Sequence, residues 1–209
     1  MKRIVAFTGA GISKASGIPT FQDMDGIREK LSLDYFMSDT KDFYDVLQGM
    51  KRNVDKALPN AAHIAIADHD IPVVTMNIDG LHKRAGSKKV IEVHGNLDYV
   101  FCMKCGKEYD FSCIDDSIYC AQCNGLLKPE VVLYGEMIAK YHEAISLISS
   151  ADELLVVGTS FYTSTSSIMV EAAEAAGAKV TTINMDAETE VPGYLRRCIE
   201  GEMETTKRH

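Results

Sequence analysis

Four short apolar runs, Ile4–Thr8, Pro72–Met76, Leu154–Gly158 and Lys179–Ile183, stand out along the chain as predicted β-strands. They are near-continuous rather than alternating, the pattern of strands buried on both faces of a parallel sheet. Between them lie stretches of helical periodicity. Asn60–His69 is predicted as a helix opened by Pro59-Asn60, Ala139–Ser149 as a second, and Ser166–Ala176 as a third closed by Gly177. The predicted fold class is therefore α/β. Between the second and third apolar runs, over roughly residues 97–129, the periodicity gives way to Cys, Gly, Asp and Ser, and this stretch reads as an insertion. No internal repeat or low-complexity segment stands out, and the charged tail Glu200–His209 is expected to be frayed or solvated.

The insertion carries its own chemistry. Cys102, Cys105, Cys120 and Cys123 form a CxxC-x14-CxxC array. Each CxxC turns two sulfurs toward one point, and two such turns supply the four thiolates that a tetrahedral structural Zn²⁺ accepts. A shell closed by four protein ligands leaves no position for water or substrate, so one zinc ion would hold a small module together and the chemistry must lie elsewhere. A thioredoxin-like redox pair, which needs only one CxxC, and chance spacing are the alternatives. Cys113 and Cys198 fall outside the array and read as free thiols.

Length and charge narrow the class further. A chain of 209 residues can bury a substantial core as one principal domain with a small insertion. No apolar run approaches the roughly 20 residues of a membrane span, and Met1-Lys2-Arg3 leads straight into the first strand, which argues against a cleavable signal peptide. A reduced cytoplasmic enzyme is expected. The net charge of −8 disfavours nucleic acid as a partner and suits a basic peptide.

The first strand ends in Thr8-Gly9-Ala10-Gly11-Ile12-Ser13, a glycine turn entering a predicted helix, where backbone N–H groups can approach a pyrophosphate. Lys14 takes the place of the third glycine of the dinucleotide fingerprint, and no acidic residue ends a second strand about 20 residues on. Taken alone, the loop is equally a plain strand-to-helix turn.

Further motifs follow in one order: Ser16-Gly17-Ile18-Pro19, Asn77-Ile78-Asp79, Leu81-His82-Lys83-Arg84-Ala85-Gly86, Val93-His94-Gly95, the four cysteines, Tyr134-Gly135-Glu136 and Gly158-Thr159-Ser160. With them the chain resembles the sirtuins, the NAD-dependent protein deacylases, from about Ile4 to Asp186. The resemblance implies a Rossmann-like domain (residues 1–96 and 130–209), an inserted zinc ribbon (97–129), and a cleft between them where NAD meets an acylated lysine of a protein or peptide. It further implies that Gly9, Ala10, Gly11, Ile12, Gly158, Thr159, Ser160 and Asn184 hold NAD. Asn77 and Asp79 would shape the nicotinamide pocket, Phe21 would cover the reacting ribose, and His94 would be the general base. Val132, Leu133, Tyr134, Gly135 and Glu136 would belong to the segment that pairs with the substrate backbone. His82, within its motif, reads as structural, and His63 and His69 as packing or surface residues.

Three departures from the family pattern carry expectations. Gln22 stands where an arginine is usual, and Met76 where a glutamine is usual, so two polar contacts near the cofactor are expected to be lost. The segment from Phe21 to Pro59 is short, and the chain ends soon after Asn184 without the usual strand and closing helix, so part of the adenine pocket is expected to be missing. Plain acetyl or a longer neutral acyl group is the expected substrate, with Arg28 and Tyr35 as candidates for receiving a negative acyl end. Transfer of ADP-ribose to protein, or NAD binding with weak turnover, are the alternative activities.

Overall fold

The structure, a computed structural model, describes residues 2–20, 26–159 and 164–206, with no account of side chains at Ser164 or at 199–206. Strand β1 (Ile4–Thr8) leads through a 3-10 turn at Ala10–Ser16 to helices α1 (Ile27–Lys30), α2 (Leu33–Ser38), α3 (Thr40–Lys56) and α4 (Ala61–Asp68). Then come β2 (Val73–Thr75), α5 (Leu81–Arg84) and β3 (Val90–Glu92). Three short strands follow, β4 (Tyr99–Cys102), β5 (Glu108–Asp110) and β6 (Leu127–Pro129). The chain closes with α6 (Tyr141–Ser149), β7 (Glu153–Val157), α7 (Ser164–Ala175), β8 (Lys179–Ile183) and α8 (Ala187–Thr206).

The four apolar runs form four of the five strands of one parallel sheet, in the order β3-β2-β1-β7-β8. The fifth, β3, escapes sequence reading because three residues are too few to show a period. Every residue of β2 and β7 is buried, as the unbroken apolar runs require. One face is covered by α6 and α7, whose Ala144, Ile148 and Met169 pack on Val5, Phe7 and Val156. The other is covered by α4 and α8, whose Ile66, Val191 and Leu195 pack on Ala6, Val73 and Leu155.

The strand order reverses between β1 and β7, since the chain runs outward through β2 and β3 on one side and β8 on the other. At such a switch point the loops leaving the strand ends diverge and open a crevice. The Gly9 turn and Gly158 leave from these two strand ends.

The expected missing closing helix is present. Ala187–Thr206 forms α8, packed on α4, with Ala187, Val191 and Leu195 fully or almost fully buried along one side. Apolar residues at 187, 191 and 195 are four apart, which is helical spacing, but Pro192 and Gly193 stand between them and mask it in the sequence. The helix also runs through the first part of the stretch expected to fray.

Strands β4, β5 and β6 form a separate antiparallel sheet in the order β5-β4-β6. It shares one aromatic core with α2 and α3: Phe36, Phe43, Tyr44 and Leu47 meet Val100, Phe111, Leu127 and Leu133. Phe36, Phe43, Tyr44 and Phe111 contact edge to face, with centroids 5.0 to 6.3 Å apart. The Tyr44 hydroxyl donates to the Leu127 carbonyl at 2.7 Å, so this large buried phenol is satisfied.

Candidate active site

At the crevice two glycine turns interlock. A methyl group on Gly11 would stand 2.6 Å from Gly158 Cα, and one on Gly158 would stand 2.2 Å from Ile12 N. Gly158 also has φ +63°. Only glycines allow this approach. Gly11 N donates to the Gly158 carbonyl at 2.9 Å, which joins the turns. The turn after Gly9 enters a 3-10 helix closed by Gly17 rather than an α-helix, so close backbone approach, more than a helix dipole, is what it offers an anion.

A cavity of about 570 Å³ is bounded by these turns and by the segment Val131–Glu136 that follows β6. Gly9, Ala10, Gly11, Met76, Asn77, His94, Gly158, Thr159, Asn184 and the whole segment Val132–Glu136 line it, so most of the residues expected in the site converge there. Ile12 does not: its side chain is fully buried in the core under the sheet, and only its backbone faces Gly158. Asp79 lines a smaller adjoining pocket of about 50 Å³ with Asn77, Ile78 and Pro19. Phe21, Gln22 and Ser160 lie outside the described residues.

His94 is half-buried, with Nδ1 3.1 Å from the Met76 carbonyl oxygen. A carbonyl only accepts, so Nδ1 carries the proton and the neutral ring presents Nε2 as a free base. Burial lowers the pKa of this ring, opposed by the bond to Met76. The orienting contact comes from the backbone of residue 76, which any side chain there supplies. Methionine at 76 therefore keeps the histidine aligned while lacking an amide of its own. The turn holding His94 is as tight as the glycine turns: Gly95 has φ +73°, and a methyl group there would lie 1.7 Å from the Glu130 oxygen.

Beside it, Asp79 is 7% exposed and organises a polar cluster. Its Oδ2 accepts from Ser13 Oγ at 2.7 Å and from Asn77 Nδ2 at 3.3 Å, and its Oδ1 accepts from Leu81 N at 2.9 Å. Burial raises its pKa, and these donors act in the opposite sense. Asn77 Nδ2 also bonds Ser13 Oγ at 3.1 Å. Ser13 was not marked as a site residue by sequence, although it ends the glycine motif. Its partners are 64 and 66 residues away.

The remaining histidines behave as scaffolding. His82 Nε2 lies 3.0 Å from Thr8 Oγ1 at the end of β1, and buried His63 completes the capping box of α4 with Asn60. His69 is exposed at the end of α4. Of the acyl-end candidates, Arg28 lines the cavity with its guanidinium 5.0 Å from the centre of the Tyr134 ring. Tyr35 instead donates to Asp42 at 2.7 Å.

The four cysteines of the array come together, their sulfurs all within 4.8 Å of one another and as close as 3.4 Å. A tetrahedral zinc with Zn–S near 2.3 Å needs sulfurs about 3.8 Å apart, so the set fits one ion. The Tyr109 hydroxyl, 3.0 Å from Cys120 Sγ, holds that thiol down at about 6, favouring the thiolate that zinc requires. The residues around the glycine turns likewise fit a dinucleotide. Thr159 Oγ1 is buried with no hydrogen-bond partner among the described residues and lines the cavity, and the glycine cradle leaves backbone where a side chain would block it.

Comparison with known proteins places this arrangement. The Sir2 family model matches residues 9–164. A protein of Sulfurisphaera tokodaii named NAD-dependent protein deacetylase is 36% identical over 199 residues, covering 87% of this chain and 79% of the relative. One of Thermotoga maritima with the same name is 36% identical, covering 87% and 81%. Among solved structures, a Sir2 homologue in complex with NAD superposes with TM-score 0.87 at 28% identity, covering 96% of this chain and 90% of that one. Sir2 with a p53 peptide and NAD superposes with TM-score 0.83 at 32% identity, covering 96% and 93%.

Proposed function

This chain belongs to the Sir2 family, and on that premise we propose that it uses NAD to remove an acetyl or other short acyl group from protein lysine, releasing nicotinamide and O-acyl-ADP-ribose. The observation that carries the reading is the convergence on one cavity of the glycine turns, His94 and the segment Val132–Glu136. NAD supplies a ribose whose bond to nicotinamide breaks as the acyl oxygen takes its place.

The chain's own residues have separable roles in this reading. Gly9, Ala10, Gly11, Gly158 and Thr159 hold the dinucleotide through backbone approach and the Thr159 hydroxyl. Asn184 acts behind them, its Oδ1 accepting from Thr159 N at 2.9 Å. Asn77 and Asp79, tied by Ser13, shape the side of the pocket that receives nicotinamide. His94 Nε2 accepts the proton of a ribose hydroxyl, which its neutral, Nδ1-protonated form is arranged to do. Val132–Glu136 forms the part of the cavity wall along which the acyl-lysine peptide lies. Zinc, held by Cys102, Cys105, Cys120 and Cys123, fixes the ribbon and takes no part in the reaction.

Arg28 in the cavity wall favours testing a carboxylate-bearing acyl group beside the neutral ones. Among the described residues no helix is long and apolar enough to cross a membrane, and a cluster of reduced zinc-binding thiols suits the cytoplasm. The test is NAD-dependent nicotinamide release with acetyl-, propionyl-, butyryl- and succinyl-lysine peptides, wild type beside His94→Ala. Release that needs an acyl peptide and vanishes in the variant is expected. Wild-type protein that binds NAD and zinc yet releases nothing with any peptide would overturn the reading.

A further inference from the structure

Lys128 is a buried cation outside the chemistry described so far. It lies in the middle of β6, its side chain 7% exposed, opposite Phe101 and next to Leu127, whose partner across the sheet is the zinc ligand Cys102. Its ammonium donates to the Pro129 carbonyl at 3.2 Å and the Val131 carbonyl at 3.1 Å, and pairs with the Glu136 carboxylate, Nζ to Oε2 2.9 Å. The ammonium also lies 5.4 Å from the centre of the Phe101 ring. A lysine in so dry a place, bonded to two carbonyls and paired with a carboxylate, is held by its partners and holds them in turn.

What it holds is the wall of the cavity. Glu136 Oε2, the oxygen that meets Lys128, also accepts from Leu133 N at 2.8 Å, while Glu136 N donates to the Leu133 carbonyl at 3.0 Å. Those two bonds close the turn that presents Tyr134 and Gly135, with Gly135 at φ +96°. The segment is pinned at neighbouring points as well, Val132 N on the His94 carbonyl and Tyr134 N on the Leu31 carbonyl. Without Lys128 the Glu136 carboxylate, 22% exposed, would lack its counter-charge and gain by turning to water, taking its bond to Leu133 with it.

We infer that Lys128 is a positioning residue for peptide binding, fixing the Val131–Glu136 segment through Glu136 and thereby coupling the zinc ribbon to the substrate edge. This rests on the deacylase reading above. The glycine turns that would receive NAD are built on the strand ends of β1 and β7, a separate part of the cavity lining, so the effect should fall on peptide and not on NAD.

The experiment compares Lys128→Met and Lys128→Arg in steady-state nicotinamide release with an acetyl-lysine peptide, and adds the double variant Lys128→Met/Glu136→Gln in thermal melts, with zinc content measured on each. Lys128→Met is expected to raise KM for the peptide about tenfold or more while KM for NAD stays within about twofold and zinc is retained. Lys128→Arg should keep most of the peptide affinity. The double variant should melt closer to wild type than Lys128→Met does, because the amide oxygen introduced by Glu136→Gln still accepts from Leu133 N and no unpaired charge remains. If Lys128→Met alone fails to fold, Lys128→Gln takes its place in the same comparison. An unchanged peptide KM in Lys128→Met, a parallel rise in KM for NAD, or a double variant that melts no higher than the single would overturn the inference. A wild-type protein inactive on every acyl peptide would instead overturn the deacylase reading, and this inference with it.

Discussion

Replacing Gly158 by alanine isolates the contact on which the crevice depends. Two costs can be separated from the structure. The first is conformational: at φ +63° an alanine pays about 1–2 kcal/mol for the left-handed backbone. The second is steric, since the new methyl would lie 2.2 Å from Ile12 N, 2.5 Å from Gly11 C and 2.7 Å from Gly11 Cα. All three are backbone atoms, which cannot swing aside as a flexible side chain would, so the two turns must separate. Overpacking of this kind costs about 1–3 kcal/mol. The total of about 2–5 kcal/mol corresponds to a Tm lower by about 4–20 °C in a chain of this size. Gly177→Ala is the matched control, because Gly177 has φ +83° but nothing within 4 Å of an added methyl. It should pay only the conformational cost, about 1–2 kcal/mol. Scanning calorimetry measures both variants, and isothermal titration with NAD tests the site: Gly158→Ala should bind NAD more weakly, Gly177→Ala as the wild type does. If Gly158→Ala melts no lower than Gly177→Ala and keeps its NAD affinity, the interlocked glycines are not what holds the crevice.

His94→Ala should reduce kcat/KM by about 10²–10⁴, as loss of a general base does. Because burial lowers the His94 pKa and the neutral ring is the active form, the acid limb of the kcat/KM profile should lie below pH 6.5, and a limb centred above that value would count against the assignment. His63, fully buried, titrates at about 4 rather than 6.5, desolvation being the main cause. The unfolded chain then takes up a proton that the folded chain refuses, so stability is full above pH 6.5 and falls between there and about 4, by about 3 kcal/mol from this group. Urea midpoints against pH should fall less steeply in His63→Gln than in wild type, and equal slopes would refute the attribution. Tyr109→Phe removes the hydroxyl that bonds Cys120, so zinc should be lost to a chelator about 10- to 100-fold more readily, read by a colorimetric zinc assay, with no effect expected on NAD affinity.

Local chemistry made much of this protein legible in its sequence. Unbroken apolar runs announced strands buried on both faces, because a residue's burial pattern repeats over its near neighbours. Paired CxxC turns announced a zinc module, since two residues between cysteines are what bring the sulfurs together. The ordered motifs then implied the family. Where the local signal is short or mixed, it does not show: β3 has only three residues, and in α8 Pro192 and Gly193 interrupt the helical pattern of Ala187, Val191 and Leu195. What only the tertiary structure decided is which distant groups meet. Ser13 reaches Asn77 and Asp79 because β1 and β2 are neighbours in the sheet, and the Met76 carbonyl sets the His94 tautomer whatever side chain residue 76 bears. The aromatic residues of α2 and α3 belong to one core with the ribbon, and Lys128 finds Glu136 across a turn. Such contacts depend on how packed elements lie in space, which spacing along the chain does not encode.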